Sequence, residues 1–69
     1  MTIEGYIMIL REECSEHLTE NEAKELEPLF STKEARIIFL KLEELRTSGR
    51  VPSPRFEKTL TDFFWRFAH

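Results

Sequence analysis

Residues 18 to 35 read LTENEAKELEPLFSTKEA, and this stretch decides the fold. It holds the same helix-start signal twice, a hydroxyl residue followed three positions later by Glu: Thr19-Glu20-Asn21-Glu22 and Ser31-Thr32-Lys33-Glu34. In such a capping box the hydroxyl accepts from the backbone N–H of the third helical residue, and the Glu accepts from the N–H of the cap. Two donors that a helix start leaves without partners are thereby satisfied. Leu18 stands before the first box and Phe30 before the second, with Ala23 and Ala35 at the positions where a hydrophobic staple would meet them. The boxes predict helix starts at Glu20 and Thr32. Pro28 disfavours helical geometry at Glu27 and is expected to end the first of these helices there.

Outward from this stretch, two more helices follow. Toward the N-terminus, Ile3, Tyr6, Ile7, Leu10, Cys14 and Leu18 recur at three- and four-residue spacing, which predicts a helix over about 3–17 with Thr2 as its cap. Gly5 weakens it, and Tyr6 to Ile9 has strand propensity, but a lone strand would find no partner in this chain. Beyond the second box, Ala35, Ile38, Phe39, Leu42 and Leu45 form a buried stripe ending at Thr47-Ser48-Gly49. The last helix starts with Ser53 as cap and Pro54 at the first helical position, where a missing N–H costs nothing; Phe56, Leu60, Phe63, Phe64 and Phe67 make its stripe. The expected architecture is all-α, one domain over 1–69, a compact bundle of four short helices at about 3–17, 20–27, 32–46 and 54–67.

A chain of 69 residues that is 41% apolar and 33% charged has the composition of one small globular domain. At this size the gain from burial and the entropy cost of ordering nearly cancel, so small domains draw on disulfides, metals or partner surfaces. Cys14 is the only cysteine, which excludes an intrachain disulfide. A metal or a partner remains. The longest apolar run, Tyr6 to Leu10, stops at Arg11, far short of a membrane span. The start Met1-Thr2-Ile3-Glu4 lacks the basic residues of a secretory signal, and a lone thiol suits a reducing compartment, so a cytoplasmic location is expected.

Net charge is −3, unevenly spread. Residues 1 to 30 carry eight Glu (4, 12, 13, 16, 20, 22, 25, 27) against Arg11 and Lys24, a balance of −6. Residues 31 to 69 carry Lys33, Arg36, Lys41, Arg46, Arg50, Arg55, Lys58 and Arg66 against five acids, a balance of +3. The two fields can attract within one chain or between antiparallel copies in a homodimer; a solvated helix exterior accounts for most of these charges.

Chemistry has little to work with. Cys14 and His17 lie three apart on a helix, with Glu13 or His69 as further ligands, but a structural zinc site wants four ligands in paired spacing, so neither metal nor cofactor is expected. With only Gly5 and Gly49 there is no phosphate loop or dinucleotide fingerprint, and no nucleophile, base and orienting group assemble, so an enzyme is not expected. Lys33, Arg36, Arg46, Arg50 and Arg55 offer a nucleic-acid face, and helices two and three read as a helix-turn-helix with its recognition helix starting at Thr32. The acidic balance, the apolar third helix and the Pro28-Leu29-Phe30 turn weigh against that alternative.

What the stripes leave over carries the functional expectation. Ile37 and Leu40 flank the third stripe, Trp65 lies beside the fourth, and Met8 falls opposite the first. These four, with Arg36, Lys41 and Arg66 at the rim, predict an interface for another protein or a second copy, since Trp and Arg dominate binding hot spots; the alternative is that helix four lies in a groove and buries both of its sides, Trp65 included. Adaptors, inhibitors and regulators of phage and plasmid type are small chains of this kind, by analogy. Tyr6, Met8, Leu10 and Arg11, then Leu18-Thr19-Glu20-Asn21-Glu22, and Trp65-Arg66-Phe67 resemble stretches of the Hha and YmoA family, small helical proteins that bind a nucleoid-structuring protein. That family has a longer segment before the middle motif and a shorter one after it, so the likeness covers isolated patches and no membership follows. The resemblance implies a small regulator that binds protein.

Overall fold

A computed structural model describes residues 1–69. The chain is all-helical, with α1 Ile3–His17, α2 Glu20–Thr32, α3 Ala35–Thr47 and α4 Pro54–Phe63, and a π-helical turn, Phe64–Ala68, continues α4. The extents of 28 × 24 × 18 Å leave room for two helix layers in the thinnest direction. Twelve side chains form one core, centred on Leu10, Ile38, Leu42, Phe56, Leu60 and Phe63, each fully shielded from water. The expected stripes of α1, α3 and α4 supply nine of the twelve; Leu26 and Phe30 come from α2 and Val51 from the loop after α3.

The helix starts follow the sequence at three of four places. Thr2 Oγ1 accepts from Gly5 N at 3.2 Å, and Ser53 Oγ accepts from Phe56 N at 3.2 Å ahead of Pro54. The Thr19 box is complete: Glu22 N donates to Thr19 Oγ1 at 3.2 Å, and Thr19 N donates to Glu22 Oε1 at 3.0 Å. The expected stop of α3 is a Schellman turn, in which Gly49 N donates to Arg46 O at 3.2 Å and Arg50 N to Leu45 O at 3.0 Å. Gly49 supplies its left-handed residue at φ 76°.

The second box does not form, and two expected boundaries move with it. α2 does not end at Glu27 but runs through Pro28 to Thr32, and α3 starts at Ala35 rather than Thr32. Thr32 Oγ1 donates to Leu29 O at 2.7 Å and accepts from Glu34 N at 3.2 Å, while Glu34, the residue capping α3, makes no side-chain cap bond. Energetics explain the continuation. An interior proline costs about 3 kcal/mol, part of it for a carbonyl left without its donor. Here that carbonyl belongs to Lys24, and Lys24 and Pro28 are both on the exposed side of the helix, where solvent is the available donor. In return Phe30 stays in line with Leu26 four residues back, and both are buried; each such burial contributes about 1.5–3 kcal/mol. The Arg11 guanidinium adds a cation–π contact 5.3 Å from the Phe30 ring centroid. The helix ends instead at Lys33, in left-handed geometry at φ 56°.

The last helix also departs from expectation, changing from α to π at Phe64. The expected single stripe divides there. Phe63 and Phe67 turn toward α1, with centroids 6.1 and 5.6 Å from Tyr6, whereas Phe64 turns toward α3, 4.6 Å from Phe39. The wider π turn distributes aromatic side chains to two neighbours that one α-helical stripe would not serve.

Candidate functional site

The large apolar residues left unburied are Met1, Met8, Ile37, Leu40, Trp65 and Phe67. All four residues singled out as excess, Met8, Ile37, Leu40 and Trp65, are among them, each more than half exposed. The fold distributes them rather than gathering them into one patch.

Trp65 stands on the π turn, 61% exposed, in an edge-type contact with Phe64 at a 5.2 Å centroid distance and tilted against His69 at 5.7 Å. Phe64 in turn rests on half-buried Phe39, so a continuous aromatic ladder runs from α3 to the surface and fixes the Trp65 base. Arg36 Nη2 reaches the main-chain oxygen of His69 at 3.5 Å, and Arg66 Nε pairs with Asp62 at 3.4 Å, which places both arginines around this aromatic end. Trp65 also lines a shallow groove of about 750 Å³ between α1 and α4 with Ile9, Lys58 and Asp62.

Ile37, Leu40 and Lys41 belong to a different surface. They line a groove of about 680 Å³ between α2 and α3, together with Leu18, Leu26, Leu29 and Leu45, with Glu22, Glu25 and Glu44 as its acidic lining. Six of its ten lining residues are apolar, against four of ten in the α1–α4 groove. Met8 lines neither.

The residues offered for nucleic acid are mostly occupied by carboxylates. Lys33 Nζ lies 2.7 Å from Glu4, Arg46 Nε 2.9 Å from Glu43, Arg50 pairs with Glu22, and Arg55 Nη1 lies 3.0 Å from Glu13 and 3.4 Å from Glu12. Arg36 alone of the five has no carboxylate partner. Of these pairs, those of Lys33, Arg50 and Arg55 join the basic half to the acidic half, so the two fields attract within one chain. A phosphate would have to compete with each of those internal partners.

Cys14 is buried, and burial pushes its thiol up to about 12, so it stays protonated and unreactive at neutral pH. His17 does not pair with it. The side chain of His17 instead converges with Glu13 and Glu16, their ligand atoms all within 4.8 Å of one another. Glu13 is already engaged: buried on α1, it accepts from the Ser53 hydroxyl and from Arg55. The Ser53 bond first, then Arg55, holds its carboxyl below the usual carboxylate range against the opposing effect of burial. Ser53 thus accepts from the first turn of α4 and donates to α1. The sequence reading did not find this clamp beyond naming Glu13 as a spare ligand; its only signal is the position three residues after Leu10, at the edge of the buried stripe.

No helix is long and apolar enough to cross a membrane. Comparison with known protein families, with curated proteins and with solved structures finds no match, the Hha and YmoA family included, so the functional reading rests on these surfaces.

Proposed function

We propose that this chain is a small non-enzymatic protein-binding module, an adaptor, inhibitor or regulator, and that Trp65 anchors its contact with another protein. The observation that carries the reading is a tryptophan 61% exposed on a fixed aromatic base, with Arg36 and Arg66 beside it. A large ring held in one place loses little entropy on binding, and Trp with neighbouring Arg is the composition of a hot spot.

The experiment is affinity capture from the source cell with the wild-type chain and with Trp65→Ala, checked by circular dichroism for unchanged helicity. The expected result is a specific protein whose capture falls at least ten-fold with Trp65→Ala. Undiminished capture by the variant overturns the role of Trp65. Sedimentation over a hundred-fold concentration range decides whether the bound partner is a second copy.

A further inference from the structure

We infer that the groove between α2 and α3 is a second binding surface, and that its occupant is an amphipathic helix from another protein with a leucine-type stripe flanked by lysine or arginine. The inference rests on the protein-binding reading above but concerns a different face of the molecule. Ile37 is 52% and Leu40 66% exposed, so they stand up as crests beside half-buried Leu29 and do not close over a cavity. An open trough between two helices, lined from Glu22 to Leu29 on α2 and from Ile37 to Leu45 on α3 and thus about 12 Å long, suits the apolar face of two or three helical turns rather than an enclosed small molecule.

Charge selects the occupant. The lining holds Glu22, Glu25 and Glu44 against Lys41, and with Arg50 seated on Glu22 the rim keeps an excess of one negative charge. Glu25 has no cationic partner within the chain, and Glu44 has only Lys41 at 3.8 Å. Glu22 already carries the guanidinium of Arg50, which comes from the loop after α3; the chain itself seats an arginine on this rim. A second copy docking groove to groove would set the same acidic excess against itself, as a two-fold contact requires. A helix with basic flanks meets Glu25 and Glu44 with opposite charge and covers Ile37 and Leu40 with its stripe.

The test uses designed helical peptides of about 18 residues in fluorescence anisotropy at physiological salt. One carries a leucine stripe with Lys flanks, one the same stripe with Glu flanks, and one has the Lys-flanked composition with the stripe scrambled. The Lys-flanked stripe is expected to bind at least ten-fold tighter than either control. Leu40→Asp, at a site too exposed to threaten folding, is expected to weaken it ten-fold or more, and Glu25→Lys to shift preference toward the Glu-flanked peptide. Equal binding of the two stripe peptides, equal binding of the scrambled one, or indifference to Leu40→Asp overturns the inference. So does a concentration-dependent dimer that Leu40→Asp abolishes, since that makes a second copy the occupant. Trp65→Ala is expected to leave peptide affinity unchanged. If the peptides fail while Trp65-dependent capture persists, the groove is refuted and the protein-binding reading stands; if the peptides bind and no capture depends on Trp65, the groove stands and the anchoring role of Trp65 is refuted.

Discussion

The α1–α4 pair and the α2–α3 pair are built from the same kind of helix yet do different work. α1 and α4 share the most extensive packing in the molecule, around Leu10, Phe56, Leu60 and Phe63, and α2 and α3 pack together far more sparsely. Polar contacts follow the same division. Tyr6 donates to Asp62, and Glu13 ties Ser53 and Arg55 to α1, so the first pair is closed at both ends. The second pair keeps an apolar groove open between its helices. A domain with little stability to spare concentrates it in one pair and leaves the other face available.

The sharpest way to break this comparison is to truncate each side. Phe56→Ala, in the closed pair, removes a fully buried ring and is expected to cost about 3–5 kcal/mol, enough to unfold a domain of this size. Urea denaturation followed by circular dichroism reads it. Next, Glu13→Gln keeps the shape but loses the charge that holds Ser53 and Arg55; about 1–3 kcal/mol is expected by the same measurement. Acid probes the same contacts. Glu13, Glu22 and Asp62 all have folded-state values below their ordinary ones, Glu22 at about 2 because it accepts from the Thr19 N–H and from Arg50. Their contribution is complete above the ordinary carboxylate range and is lost as pH falls through the folded values. The melting temperature is therefore expected to fall between about pH 4.5 and pH 2, and Glu13→Gln to flatten that fall. The smallest effect belongs to Leu40→Ala, on the open pair, expected within about 0.5 kcal/mol of wild type. A cost comparable to that of Phe56→Ala would show that the groove wall carries the fold and would erase the distinction.

Most of the fold is legible in local signals. The Thr19 box, the Ser53-Pro54 start and the Gly49 stop each depend on residues a few positions apart, and each forms as expected. Ser31-Thr32-Lys33-Glu34 has the same local chemistry and does not form, because burying Phe30 beside Leu26 keeps α2 going through Pro28. That gain is tertiary, and no local pattern contains it. The π turn was hidden for a related reason: Phe63, Phe64 and Phe67 fit an α stripe equally well, and only the positions of Tyr6 and Phe39 separate them.

The site was legible to the same degree. Stripe arithmetic identifies Met8, Ile37, Leu40 and Trp65 as excess because it needs only helical periodicity. Their division between the aromatic end and the α2–α3 groove depends on how helices pack, which periodicity does not carry. Glu13 lay further out of reach, since its partners Ser53 and Arg55 are 40 and 42 residues away in sequence.

Cys14 gives the molecule a clock. The chain's one thiol lies on the core face of α1, 1% exposed, within the closed pair. A thiol reagent can reach it only when the core opens, so its modification rate under native conditions reports the frequency of that opening. A ligand seated on α2 and α3 never touches Cys14, yet by stabilising the folded chain it lengthens the interval between openings by the factor 1 + [L]/Kd. Occupancy of a surface groove is then timed by a single buried sulfur atom.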